Sequence, residues 1–504
     1  MGKKALISII PCFIILCLFV VPTGATNQGN TLTVGLEYDP GGFDALKAWA
    51  SGPSATAPIN AIQERLFDIG DNSEIVSRLG ISAVPEENRK NWVIKLRKGV
   101  YFHDGTPFNA DAVLHHWKRL LNPENRYKER MYVEPIQSVE KVDDYTVRFI
   151  LKHPWMPFRA AIASIIGFSS YIPSPKAVDK DKQNRAPVGT GPFMFKEWKS
   201  QDRLVVVKNP NYWRRGKPYV DKIVFRFIPD HQTRFASLQA GEVDIIWTDR
   251  GNHIHQAAKE KKWVVHKIDE TGAEVFLLNN TKAPLDNPVV RRALAYAWDQ
   301  SKLVKMVYKD TIPVIQHTFG ATLMCDDLAY REHNPQQAIK LLKGLKEPLV
   351  IEYLHTNTLR GREHGAILQQ LFKAVGVEVI LKSVNVPAMI KNVFTNNYQI
   401  SSWRTGSIPD QGPALFAQFH SKSPYNLSHY NNPKMDELLE KQSNSIDPKQ
   451  REAYLCKIAR FINEDAPVLY RGGRSYHAIS HSRLKGLPSL KQGVIRLDEA
   501  WIED

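Results

Sequence analysis

The sequence is short of the residues and motifs that would make it a disulfide scaffold, a zinc module or an enzyme of a familiar kind. It has four cysteines in 504 residues. Two of them, Cys12 and Cys17, fall in an apolar leader. No CxxC pair occurs, which argues against a structural zinc site. Cys325 and Cys456 remain. Outside the cytosol such a pair can oxidise. They can equally stay free and buried, because sequence alone does not give the distance between them. No HExxH, GxSxG, zinc-deaminase or P-loop pattern is present. The GxG in "PVGTGPFMFKEW" (187–198) fails the dinucleotide fingerprint because Met194 stands where a third glycine is needed. Low-complexity tracts and solenoid repeats are absent too.

Long hydrophobic runs are missing except at the start. Lys3 and Lys4 precede an uncharged run from Ala5 to Val21, followed by Pro22, Thr23, Gly24 and Ala25. A basic start, an apolar centre and small residues at the end describe a secretory signal, with cleavage expected after Ala25. Pro11 and the run's marginal length argue against a membrane span, which takes ~20 apolar residues. Bulky Pro11 and Leu16 precede Cys12 and Cys17 where a lipidation signal wants a small residue.

The rest is a globular composition, 43% hydrophobic and 24% charged, with a formal charge of +15. The length suggests two to four domains of ~100–200 residues. The basic excess is scattered over short clusters such as Arg214–Lys217 and Lys259–Lys262. A nucleic-acid reader gathers such charge on one element, so the excess reads as a solvated surface that can attract anionic partners.

Strand-like alternation marks 31–37, 92–97, 203–207 and 222–228. Two alternating runs around Asp143–Asp144 predict a hairpin. Asn109 caps a helix through Val113, Trp117 and Leu120. "TRFASLQAG" (233–241) is a short helix, with strand "EVDIIW" after it. Asn287–Pro288 opens a helix with Val290, Leu294 and Ala297 inward. Asn334–Pro335 opens the next. Strand 349–354, helix 363–375, strand 377–381, helix 386–396 and strand 398–403 then form a βαβαβ unit, which implies a parallel sheet. Helices 433–443 and 448–463 follow. Ligands of open α/β sheets sit at the carboxyl ends of the strands. This rule points to "WRTGSIPDQGP" (403–413) and to the loop His355–Arg362.

Several side-chain pairs invite a chemical reading. His103–Asp104, in "WVIKLRKGVYFHDGTPFNADAV" (92–113), could be an acid–base pair; Asp104–Gly105 also suits a tight turn. His253 and His255 in "GNHIHQ" could share a metal on a strand, but a solvated loop is the expected setting. His115–His116 read as partly buried surface histidines, and Asp326–Asp327 and Glu464–Asp465 as solvated helix ends or turns.

"WVIKLRKGVYFHDGTPFNADAV", "DDYTVRFIL", "PVGTGPFMFKEW", "NPNYWRRGKPYVDKI", "LQAGEVDI", "LDNPVVRRALAYAWD" and "NEDAPVLY" occur in one order along nearly all of 31–504. Together they resemble the extracytoplasmic solute-binding proteins of the peptide/nickel class, family 5, which serve ABC importers. The resemblance implies an α/β, two-lobed type II periplasmic-binding-protein fold with an extra subdomain inserted in the first lobe. The first lobe would hold 26–50, 187–280 and 480–504, with the insert at 51–186; the second lobe would be 281–479. It also implies a periplasmic monomer without cofactor or nucleic acid, capturing a peptide or related solute for permease subunits in the inner membrane. In dipeptide carriers of this family a tryptophan opens the ligand loop, and an aspartate three residues on pairs with the peptide ammonium. Trp403 matches the tryptophan. Gly406 stands at the aspartate's place, or Ser407 with a one-residue shift, so Asp410 is the candidate substitute. Arg360 or Arg362 loosely matches the arginine that holds the peptide carboxylate. Arg404–Thr405 resembles a pair seen in nickel carriers, which keeps a chelated metal or other solute as an alternative. A secreted hydrolase is the third reading and lacks any nucleophile–base pattern.

Overall fold

A computed structural model describes residues 30–48, 52–70, 74–86, 89–164, 168–319, 325, 328–345, 348–405, 410–487 and 496–503. Its centre is one ten-stranded sheet. In spatial order the strands are Val377–Val384, Leu349–Thr356, Ile400–Arg404, Trp263–Leu278, Val468–His481, Ile245–Thr248, Thr31–Leu36, Lys222–Phe227, Arg203–Lys208 and Phe193–Lys199. The expected βαβαβ unit is present, with Leu349–Thr356 parallel to both its neighbours. It is not a sheet of its own. Ile400–Arg404 pairs antiparallel with Trp263–Leu278, and that strand pairs antiparallel with Val468–His481. These two long strands carry the sheet from one half of the molecule to the other.

Two large apolar cores lie on either side of that crossing, with a smaller cluster around Phe235 and Leu238 beside the first. One gathers Leu32 to Trp247 together with Ala478, Leu484, Leu497 and Ala500. The other runs from Ala273 to Tyr470. The change between them falls where the crossing strands lose register, between Asp269 and Ala273. Gly272 there has φ +91°, a conformation costly for any residue with a Cβ. Opposite it, a Cβ on Gly472 would meet Ile312 Cδ1 at 2.7 Å, and one on Gly473 would meet Pro313 Cγ at 2.7 Å. The glycines therefore let segment 312–315 press against the crossing. A broken ladder of two strands is the natural hinge between two halves.

A second sheet, antiparallel, is inserted in the first half: Gly80–Pro85, Asn91–Leu96, Thr146–Leu151 and Ile136–Asp143 in order. Helix Ala110–Leu121 packs on it, with Trp117 edge-on to Phe149 at 5.3 Å.

Local chemistry explains the helix starts. Asn109 accepts a hydrogen bond from Ala112 N, Asn287 from Val289 N, Asn334 from Gln337 N and Asp447 from Gln450 N. Each satisfies an end donor that the helix itself cannot pair. His103–Asp104 is a turn. Asp104 accepts from Thr106 N and from the Ser174 hydroxyl, while His103 Nε2 bonds the Gly191 carbonyl at 2.9 Å. The two side chains serve different partners, and burial pushes His103 down to about 4.

The histidines of "GNHIHQ" correct the loop expectation. They lie on helix Gly251–Ala258. His253 stacks on Phe235 with ring centroids 4.4 Å apart, and His255 Nε2 bonds the Lys309 carbonyl. Two residues apart on a helix they point different ways. His115 is paired with Asp179, and buried His116 bonds the Ser169 carbonyl. Asp465 accepts hydrogen bonds from Tyr430 and Asn432. Asp326–Asp327 lie outside the described residues.

Candidate ligand cleft

Four segments that follow strands converge where the two halves face each other. Glu37 and Tyr38 follow Thr31–Leu36, and Asp249 follows Ile245–Thr248. Arg404 ends Ile400–Arg404, and Arg360 opens helix Leu359–Lys373. Tyr308, at the end of the π-helical turn Val304–Tyr308, adds its ring, and Glu274 and Arg474–Tyr476 come from the crossing strands. The space between them is about 50 Å³. On this measure one water needs ~10–15 Å³, so the space takes a few waters.

Most of the cleft's charge is internally matched. Asp249 is held by Arg360 and by Arg250 at 3.3 Å, and Arg250 reaches Glu363 at 3.0 Å. The Arg360–Asp249 and Arg250–Glu363 pairs join the first half to the second. Burial works to raise the Asp249 pKa, but Arg360, Arg250 and Arg234 outweigh it and hold the carboxyl ionised. Glu274 follows the same pattern: burial opposes ionisation, and Arg471, Arg404 and Arg474 overcome it.

Arg471 is the centre of a buried network. It donates to Glu274 at 2.7 Å, to the carbonyls of Val275 and Trp403, and to His364 Nδ1 at 2.7 Å. Burial, reinforced by Arg471 and Arg360, drives His364 well below the usual histidine range. A neutral ring that accepts at Nδ1 carries its proton on Nε2, and this donates to the Tyr308 hydroxyl at 3.2 Å. One histidine thus orients both the cation behind Glu274 and the phenol facing the cleft.

Two charged groups of the cleft, Glu37 and Arg404, make no direct salt bridge among the described residues, though each acts at longer range on opposite charges nearby. Among the described residues the exposed Glu37 carboxylate forms no ion pair or hydrogen bond; only its backbone N–H does, with Ser54. Arg404 donates to the Tyr476 hydroxyl at 2.5 Å and touches no carboxylate directly among the described residues. An anion from one half and a cation from the other thus line the same cleft.

The residues singled out in the sequence divide accordingly. Arg404 and Arg360 line the cleft, though Arg360 is already paired. Trp403 does not line it. Alternation along the strand turns its ring to the other face, where it meets Phe394 edge-on at 6.2 Å. Thr405 is buried and ties the strand to Ala273 through backbone and hydroxyl bonds. Exposed Arg362 donates to the Asn357 carbonyl. Ser407 lies outside the described residues. Asp410 is already engaged: Arg451 grips it with two bonds of 2.6 and 2.7 Å, and Gly412 N donates to it as well. Its charge is consumed in holding helix Pro448–Asp465. Asp410→Ala should therefore leave ligand affinity within twofold and destabilise the fold by ~3 kcal/mol, since it strands the buried Arg451. Calorimetry and denaturant unfolding on one preparation check both halves of that expectation. Glu37, Asp249, Glu274, Tyr308 and Tyr476 were missed. The rule that points to 403–413 reaches Glu37 and Asp249 when applied to every parallel strand; nothing in sequence marks Glu274.

Residues 74–426 match the bacterial extracellular solute-binding proteins, family 5. The chain belongs to this family. The Dipeptide-binding protein of Escherichia coli is 28% identical over 494 residues, covering 90% of this chain and 91% of that protein. The solved periplasmic binding protein DppA of Helicobacter pylori, in complex with peptide STSA, superposes with a TM-score of 0.85 at 27% identity, covering 94% and 98% of the two chains. NikA of Brucella suis, in complex with Fe(III)-EDTA, shares the fold with a TM-score of 0.82 at 20% identity, covering 94% and 100%. This family 5 protein is a binding protein rather than an enzyme. Among its described residues no helix is long and apolar enough to cross a membrane, and no three His, Cys, Asp or Glu side chains are grouped to hold a metal ion.

Proposed function

We propose that this family 5 protein captures a short peptide, or another small solute with both an ammonium and a carboxylate, and hands it to the membrane subunits of an ABC importer outside the cytoplasm. The observation that carries this is a pair of cleft charges without a direct salt bridge, Glu37 on one half and Arg404 on the other. A zwitterion satisfies both at once, and only when the halves are together. Ligand binding then favours closure by its differential affinity for the closed form. The leader of basic, apolar and small residues supports export to the periplasm. The peptide-bound DppA of Helicobacter pylori supports the ligand class.

The test is calorimetric titration of the mature protein with an unblocked dipeptide, its N-acetyl form and its C-terminal amide. Each block should weaken binding by about thirtyfold, the equivalent of ~2 kcal/mol for a lost charge partner. Glu37→Gln should cost the free dipeptide that factor and the acetylated one nothing. Equal affinity for all three ligands would sink the assignment.

A further inference from the structure

The ten-stranded sheet ends on two edge strands, and they are finished differently. Phe193–Lys199 carries a bulge between Phe195 and Glu197, and Lys196, Glu197 and Lys199 stand exposed along it. Bulges and edge charges keep such a strand from pairing with another chain. Val377–Val384 has neither a bulge nor a proline. Among the described residues it pairs only with Leu349–Thr356. Ile380 and Leu381 point to opposite faces, yet they are 51% and 37% exposed. The edge itself is therefore open.

The backbone shows which groups are on offer. Asn357 N donates to the Val384 carbonyl, which turns Val384 toward Leu349–Thr356. Alternation then turns the N–H and C=O groups of Val377, Val379, Leu381 and Ser383 outward. One of these is covered: exposed Gln369 donates from Nε2 to the Val379 carbonyl at 2.8 Å.

This strand is its own complement. An antiparallel copy centred on Ile380 sets Ile380 against the partner's Ile380, Val379 against the partner's Leu381 and Glu378 against the partner's Lys382. Outward-facing residues then meet outward-facing residues, as ladder hydrogen bonds require. The exposed Glu378 carboxylate has no hydrogen bond or ion pair among the described residues. Lys382 reaches Glu352 at 3.3 Å and stays 43% exposed, with room for a second carboxylate. The neighbouring registers, centred on Val379 or Leu381, set Glu378 against Ile380 or Ile380 against Lys382. They lose both charge pairs, so one register stands out.

We propose that Val377–Val384 is a docking edge for a second copy of this chain, joined antiparallel about a two-fold axis through Ile380, so that two ten-stranded sheets become one. The partner's Leu381 N–H takes over the Val379 carbonyl from Gln369. The two-fold axis makes each contact occur twice. A single strand pair is a small interface of the weak, transient class, so the chain is a monomer when dilute and a dimer when concentrated. No residue of Val377–Val384 lines the cleft.

The test is sedimentation equilibrium of the mature protein from about 10 µM to about 1 mM, the range suited to a weak interface. The weight-average mass should climb from one chain toward two. Ile380→Lys sets like charges on the axis and should hold the mass at one chain, while its exposed site leaves the melting temperature in place. Glu378→Lys alone and Lys382→Glu alone should each stay monomeric, because like charges then face each other. Their equimolar mixture should dimerise, because each variant supplies the charge the other lacks. Ile380→Cys should form an intersubunit disulfide under mild oxidation, since residues paired at such an axis lie ~4.5 Å apart between Cα atoms; Glu378→Cys should not. A parent that stays monomeric throughout that range would overturn the proposal. So would a dimer that survives Ile380→Lys, or a mixture of the two charge variants that stays monomeric.

Discussion

Arg404→Gln should weaken peptide binding by about 30- to 1,000-fold. A carboxylate desolvated between two closing halves needs a compensating charge, and losing one partner of such a pair costs ~2–4 kcal/mol. Arg404 forms no direct salt bridge among the described residues, though it helps hold Glu274 ionised, and Tyr476 aims it. Arg360 cannot substitute, because Asp249 neutralises it. Glutamine keeps hydrogen-bonding capacity and most of the stem, so the loss reports charge rather than shape. The measurement is calorimetric titration with a free dipeptide and its C-terminal amide. The free peptide should lose affinity and the amide should barely change. A free peptide that binds Arg404→Gln as well as the parent would remove Arg404 from the site.

The second large effect concerns stability. Cys325 and Cys456 form a disulfide with a sequence separation of 131. It ties residue 325 to helix Pro448–Asp465 and closes most of the second half into a loop. The chain entropy that such a long loop removes from the unfolded state corresponds to ~4–5 kcal/mol of stabilisation. Cys325→Ser with Cys456→Ser should lower the unfolding midpoint of the second half by on the order of 10 °C, with the same shift when the parent is unfolded in reductant. Calorimetry should show the first half's transition moving far less. A midpoint indifferent to both treatments would mean that the bond contributes nothing. The bond also fits an exported chain, since the cytosol keeps thiols reduced.

Much of the architecture is written in short-range signals. Asn109, Asn287, Asn334 and Asp447 announce their helices because a cap and the N–H it accepts from lie within three residues. The βαβαβ unit is legible because each segment's apolar pattern is complete in itself. The site is less so, because its chemistry is decided by distant partners. Asp410 looks like a free anion until Arg451, 41 residues on, takes it. Trp403 and Arg404 are adjacent in sequence, yet the pleat sends them to opposite faces. Glu274 sits mid-strand among apolar neighbours, and only the fold brings Arg471 to it from 197 residues away. Glu37 is within reach of the strand-end rule and escapes when the rule is applied to the βαβαβ unit alone.

The crossing strands also set an order of events during synthesis. Every residue of the second core, Ala273 to Tyr470, leaves the ribosome before the first core is complete. The first core still waits for Ala478, Leu484, Leu497 and Ala500. The strand that borders Ile245–Thr248 is made some two hundred residues after it. The half that begins the chain is therefore the half that finishes last, and a chain threaded outward from its amino end keeps that half open until its final segment has crossed.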